Sequence, residues 1–122
     1  MNITDINTLE DVLSILREAR EAAALAAQEK YESLGGKHQW PCGFAWVDLL
    51  DYKGKKLDGR TKIGRLLRKA GIEKSYSSGM HMLWNPSGMM VQNMGTLYSG
   101  AEAAVEVLKK YGFKAYASSR MD

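Results

Sequence analysis

The sequence predicts an α+β fold: a long N-terminal helix followed by a ferredoxin-like β-α-β-β-α-β unit with an antiparallel four-stranded sheet. Three observations lead there. Apolar residues recur at helical spacing from Leu9 to Leu34. Residues 42–50, Cys-Gly-Phe-Ala-Trp-Val-Asp-Leu-Leu, are the most apolar run in the chain and alternate like a central strand. Beyond them, strand-like and helix-like segments follow one another between Gly- and Pro-bearing turns in the split βαβ order. With 122 residues, 45% apolar and 25% charged, the chain is expected to be one domain, helix 1–34 and core 42–118.

The first helix opens on Thr8 as N-cap, with Asp11 at the third helical position as a capping-box partner, and stops at Gly35-Gly36. Its smooth middle, Glu21 to Ala27, reads as a packing or self-association surface. Pro41 then sets an extended entry to the first strand. Along that strand Phe44, Trp46 and Asp48 share one face and Ala45, Val47 and Leu49 the other. Helices are expected on the Ala45 face; what meets Phe44 and Trp46 is left open, with the long helix as one candidate cover. Asp58 is a fair N-cap for a helix from Arg60 to Ala70, which buries Ile63, Leu66 and Leu67 and stops at Gly71. Met80 to Trp84 reads as a strand, Asn85-Pro86-Ser87-Gly88 as a turn, and Met89 to Asn93 as the returning strand of a hairpin. Ser99 caps a third helix from Ala101, ended by Gly112. Phe113 to Ser118 is the last strand, and Ser119 to Asp122 a polar tail. In this arrangement the first and last strands are expected near the middle of the sheet.

Charge is unevenly spread. The net charge is +3, yet residues 1–34 hold seven acids against three bases, and residues 53–74 hold nine bases against two acids. Such separation suits an anionic partner, or copies of the chain meeting acidic helix to basic segment. No apolar stretch is long enough to span a membrane, and the acidic N-terminus lacks the apolar core of a signal peptide. A lone Cys42 makes no internal disulfide, which fits a reducing cytoplasm, and it has no activating neighbour.

Residue sets for chemistry are sparse. One Cys and two distant His residues, His38 and His81, form no metal pattern, and no cofactor motif is present. Gly59 to Arg65 lacks the frame of a phosphate loop, so its bases are either a solvated helix face or an anion site. Asp48 and Asp51 near the end of the first strand read as solvated groups pairing with Lys53 or Lys55. His81 reads as a structural histidine. Phe44 and Trp46, with Met80, Met82 and Trp84, form either a stacking platform for a base or part of a core closed by the long helix.

Three segments carry a resemblance: the Cys42 to Val47 strand, Tyr76-Ser77-Ser78-Gly79 followed by Trp84, and the ending Ala115-Tyr116-Ala117-Ser118-Ser119-Arg120-Met121-Asp122 after an Ala-rich helix. Together they resemble a group of small, largely uncharacterised bacteriophage-encoded proteins. The resemblance covers residues 42–122 and brings no catalytic residues. It implies a protein that occupies something of the host, such as a defence enzyme, a nucleic acid or a nucleotide signal. It also implies that Ser118, Ser119, Arg120 and Asp122 are hydrogen-bonding and charge-pairing groups.

The expected function is therefore non-enzymatic: a phage accessory or counter-defence protein in the host cytoplasm that sequesters an anionic, nucleotide-like ligand. Arg60, Lys62, Arg65 and Arg120 would hold phosphate, and Trp46, Tyr76 or Trp84 would stack a base. A homo-oligomer through the N-terminal helix is expected. The alternatives are a nucleic-acid binder using the same bases and an inhibitor of a host protein acting through the first helix.

Overall fold

The computed structural model describes residues 2–36, 42–50, 54, 61–75, 79–91 and 93–121. After a 3-10 turn at Ile3–Asp5 come α1 (Leu9–Ser33), β1 (Gly43–Leu50), α2 (Lys62–Lys69), β2 (Glu73–Lys74), β3 (His81–Trp84), α3 (Met94–Lys110) and β4 (Lys114–Met121). The fold is α+β, with a long N-terminal helix and a four-stranded sheet in which every neighbouring pair is antiparallel.

The expected capping box starts α1. Thr8 Oγ1 accepts from the Asp11 amide, and the Asp11 carboxylate accepts from the amides of Asn7 and Thr8. Those backbone donors hold the Asp11 carboxyl below its ordinary range. Val12, Ile15, Leu16, Ala19, Ala23 and Ala27 form the buried stripe of α1. Its alanine-rich half lies against α3: a Cβ on Gly100 would stand 3.1 Å from the Ala23 carbonyl and 3.4 Å from the Ala27 methyl. Small side chains on both helices thus allow a close crossing, and the smooth stretch of α1 is a packing surface within the chain. At the far end of α3, Tyr111 donates to Glu18 at 2.6 Å and Lys110 pairs with the same carboxylate, which holds it low.

The strand order is β2-β3-β1-β4. The first strand is internal, as expected, but the last lies at an edge rather than near the middle. The connection from β2 to β3 is short and keeps β3 beside β2, so β3 takes the place next to β1. The chain leaving α3 then finds only the outer side of β1 unoccupied. Ala45, Val47 and Leu49 meet Leu67, Leu83, Leu97, Ala104, Leu108 and Ala115 in one core that also takes Ile15 and Leu16 of α1.

Four further expectations are corrected. First, the hairpin pairs β2 with β3 (Glu73 opposite Met82, Lys74 opposite His81), and residues 89–91 form no strand. After β3 the chain is held in a local turn: Asn85 adopts φ +41°, its side-chain Nδ2 donates to the Met89 carbonyl, and the Ser87 hydroxyl accepts from the Met89 backbone amide. Both backbone groups of Met89 are therefore satisfied locally instead of in a ladder. Second, α3 begins at Met94, well ahead of Ala101. Asn93 caps it by accepting from the Thr96 amide at 2.8 Å, while Ser99, the expected cap, bonds back to the Gly95 carbonyl inside the helix. Third, α2 is capped by Thr61, which accepts from the Gly64 amide; Asp58 lies outside the described residues. Fourth, β4 runs past Ser118 to Met121, so most of the expected tail is paired with β1.

His81 is a structural histidine with one physical consequence. Its side chain is buried in the sheet, and Nδ1 has no hydrogen-bond partner among the described residues. Burial, and then the charges of Lys74 and Arg68, hold its pKa below the ordinary 6.5. A base with a lowered folded pKa takes up protons more readily when unfolded. The neutral form's stability is therefore complete above about pH 6.5 and is lost as pH falls below it. Chemical denaturation from pH 7.5 down to 5 is expected to show falling stability in the native chain and a flatter profile in His81→Leu. Identical slopes would contradict this account. Asp11 and Glu18, whose pKa values are also lowered, act in a separate, more acidic window, below their ordinary 3.8 and 4.5.

Candidate functional site: an open aromatic sheet face

Residues directly opposite one another on neighbouring strands project to the same side. The pairings Trp46–Trp84, Asp48–Met82, Phe44–Arg120, Trp46–Ser118 and Asp48–Tyr116 therefore put all eight of these residues on one sheet face. It is the face opposite the core of Ala45, Val47 and Leu49. The three helices pack with that core, and among the described residues no helix covers the Phe44/Trp46 face. The long N-terminal helix, the candidate cover, lies on the other side.

The aromatic groups on this face touch one another. Trp46 and Trp84 are stacked, with centroids 5.6 Å apart and planes 14° from parallel. Phe44 meets Trp84 at 5.6 Å in a tilted pair, and the Arg120 guanidinium lies 5.9 Å from the Phe44 ring. Trp84 is 49% exposed, so the face of the stack is accessible.

Beneath this surface Asp48, only 7% exposed, fixes the array. Its Oδ1 accepts from Trp46 Nε1 at 3.2 Å and its Oδ2 from the Ser118 hydroxyl at 2.8 Å. One bond sets the orientation of the indole, and the other ties β4 to β1. The expected surface pairing of Asp48 with Lys53 or Lys55 does not describe this buried carboxylate, and both lysines lie outside the described residues.

Two depressions flank Trp84. One of about 260 Å³ is lined by Phe44, Asn85, Met89 and Met90. The other, about 580 Å³, is lined by Arg20 of α1, Glu73, Lys74 and Ser75, together with Met82 and Trp84. It reaches around the edge of the sheet because β2 pairs only with His81 and Met82 of β3, leaving Leu83 and Trp84 without a β2 partner on that side.

Of the residues singled out from the sequence, Trp46, Trp84 and Arg120 come together on the open face. Lys62 and Arg65 do not join them. They lie on α2, whose Leu67 belongs to the core, and Lys62 bonds the Asn7 side chain near the start of α1. Arg60 and Tyr76 fall outside the described residues. Sequence reasoning passed over Arg20 and Lys74, which only folding brings to Trp84. It also passed over Tyr116, which the alternation Tyr116, Ser118, Arg120 would have placed on the open face had the strand been extended to Met121.

The chain is thus an α+β protein whose antiparallel sheet carries helices on one face and an accessible aromatic array on the other. Compared with known proteins, it matches no family model, no curated protein and no solved structure. Among the described residues, no helix is long and apolar enough to cross a membrane.

Proposed function

We propose that this chain is a ferredoxin-like, non-enzymatic binding protein that captures a nucleotide-like anion on its open sheet face. The observation that carries the reading is the accessible Trp46–Trp84 stack with the Arg120 guanidinium beyond Phe44; Arg20 and Lys74 enter the larger depression around the sheet edge, beside Glu73. A base stacks on Trp84, its phosphate meets a guanidinium, and the anchored indole of Trp46 keeps the platform flat. The hydroxyl–carboxylate pair at this face, Ser118 and Asp48, is engaged in orienting the Trp46 indole and tying β4 to β1, which favours capture over turnover. A counter-defence role in a phage-infected bacterium is the biological setting that the sequence resemblance implies, with sequestration as the mode of action.

Calorimetric titration with a panel of cyclic and linear nucleotides tests the reading. Binding at micromolar or tighter affinity is expected for at least one member, and its absence across the panel overturns the proposal. The openness of the face supports a second reading, a single-stranded nucleic acid laying successive bases along Phe44, Trp84 and Trp46. That reading predicts oligonucleotide affinity that falls steeply with added salt, whereas a mononucleotide contacting one or two cations has a shallow slope.

A further inference from the structure

We propose that the outer edge of β4 is the surface through which two copies of this chain join, extending the sheet to eight strands across a two-fold axis at Ser118. β4 is eight residues long and pairs with β1 along its whole length, and its other edge pairs with no described strand. The usual protections of such an edge are confined to its ends, at Lys114 and Arg120. It has no proline, and Ala115 to Ser119 carries no charge. Among the described residues, its row of backbone donors and acceptors is a template for another strand.

A second copy of β4 fits this template in a definite register. A two-fold axis normal to the sheet keeps the open faces of both copies on the same side, so only residues of the same face can oppose one another. Centring on Ala117 sets Lys114 against the partner's Arg120, a like-charge pair. Centring on Ser118 instead sets Tyr116 against the partner's Arg120, Ala117 against the partner's Ser119, and Ala115 against the partner's Met121. The second register replaces a repulsion with two symmetry-related cation–aromatic contacts.

Two exposed side chains gain partners in that register. Tyr116 is 54% and Met121 62% exposed in the single chain. Met121 belongs to the helix side of the sheet. There a groove runs along β4 where the partner's Met121 arrives, with Tyr98, Val105, Ala115 and Ala117 on its apolar part and Glu102, Glu106 and Lys109 also in its lining. On the opposite side, the partner's Tyr116 reaches the Arg120 that already lies on Phe44, so each copy contributes a residue to the other's aromatic face. This interface is distinct from one through α1, whose small-residue stripe is occupied by α3. It holds whatever ligand the open face takes.

The test is the mass in solution by sedimentation equilibrium, with three variants. The native chain is expected to be a dimer or a multiple of one. Tyr116→Arg, which faces the partner's Arg120 with like charge, is expected to weaken association about tenfold or more, whereas Tyr116→Glu preserves it. In a Cys42→Ser background, Ser118→Cys is expected to give a disulfide-linked dimer under mild oxidation and Ala117→Cys is not, because only residue 118 opposes itself. A monomeric native chain overturns the proposal. So does a dimer that Tyr116→Arg leaves intact, which would place the interface elsewhere, α1 included. Cross-linking through Ala117→Cys in place of Ser118→Cys overturns the register.

Discussion

Gly43→Ala is expected to detach the C-terminal end of β4 from the sheet, although the substitution adds a single methyl group. A Cβ at Gly43 would lie 2.4 Å from the Arg120 carbonyl oxygen and 3.1 Å from the Met94 sulfur. The methionine can move; the carbonyl belongs to the paired backbone and can withdraw only if Arg120 and Met121 leave β1. Relief of the clash is expected to cost about 1–3 kcal/mol of stability, the usual range for overpacking at a site that cannot expand. The loss should be local. Hydrogen exchange should accelerate at residues 119–121, while the α1–α3 pair keeps its protection. Arg120 would also leave Phe44, so ligand affinity should fall with stability. Unchanged exchange at the end of β4 would show that the close approach of Gly43 and Arg120 is not a constraint.

Trp84→Ala is expected to lower ligand affinity directly, with a loss of stability of similar size that leaves β4 paired. Half of the Trp84 side chain faces solvent, and its main internal contacts are the rings of Trp46 and Phe44. Losing the two pairs costs roughly 0.5–1.5 kcal/mol each beyond burial, and removing a base-stacking ring costs about 1–3 kcal/mol per base. For the nucleotide that binds best in the calorimetric panel, affinity is expected to drop roughly five- to over a hundredfold. Trp84→Phe, which keeps a stacking surface, should recover most of it. A full-affinity Trp84→Ala variant would remove the open face from consideration and return attention to the basic helix α2.

These two predictions differ in how far the sequence alone could support them. Trp84 and Trp46 were visible as candidates from alternation within their own strands, because side-chain direction in a strand depends only on position. That Trp84 stacks on Trp46, and that Arg120 reaches Phe44, are matters of register between strands far apart in the chain. The role of Gly43 was hidden for the same reason, since its closest neighbour is a carbonyl 77 positions later. Asp48 was misread as a solvated strand-end group because its two donors, Trp46 Nε1 and the Ser118 hydroxyl, are defined only once β4 is paired.

The hairpin error has a local cause. Asn85-Pro86-Ser87-Gly88 is indeed a turn, but turn chemistry does not say whether a strand follows. Asn85 and Ser87 bond the backbone of Met89 and Asn93 caps α3, so both ends of the segment have local side-chain partners, and Asn93 meets the chain before β1 in a single bridge to Cys42 rather than a ladder. The two-residue β2 carried almost no signal of its own. It is a strand only because Met82 and His81 lie opposite it.

The sequence by itself determined the elements whose stabilising contacts are near neighbours: the capped start and glycine stop of α1, the buried stripes of the helices, and the division of β1 into an Ala45-Val47-Leu49 face and a Phe44-Trp46 face. Tertiary structure alone decided which of those faces stays open, that α1 spends its alanines on α3 instead of covering the aromatic rings, that β4 is an edge, and that Arg20 and Lys74 meet at Trp84. The physical reason is range. Caps and periodicities act over a few residues, where side-chain identity sets the outcome, whereas strand order, register and helix placement are set by competition among distant segments for one core.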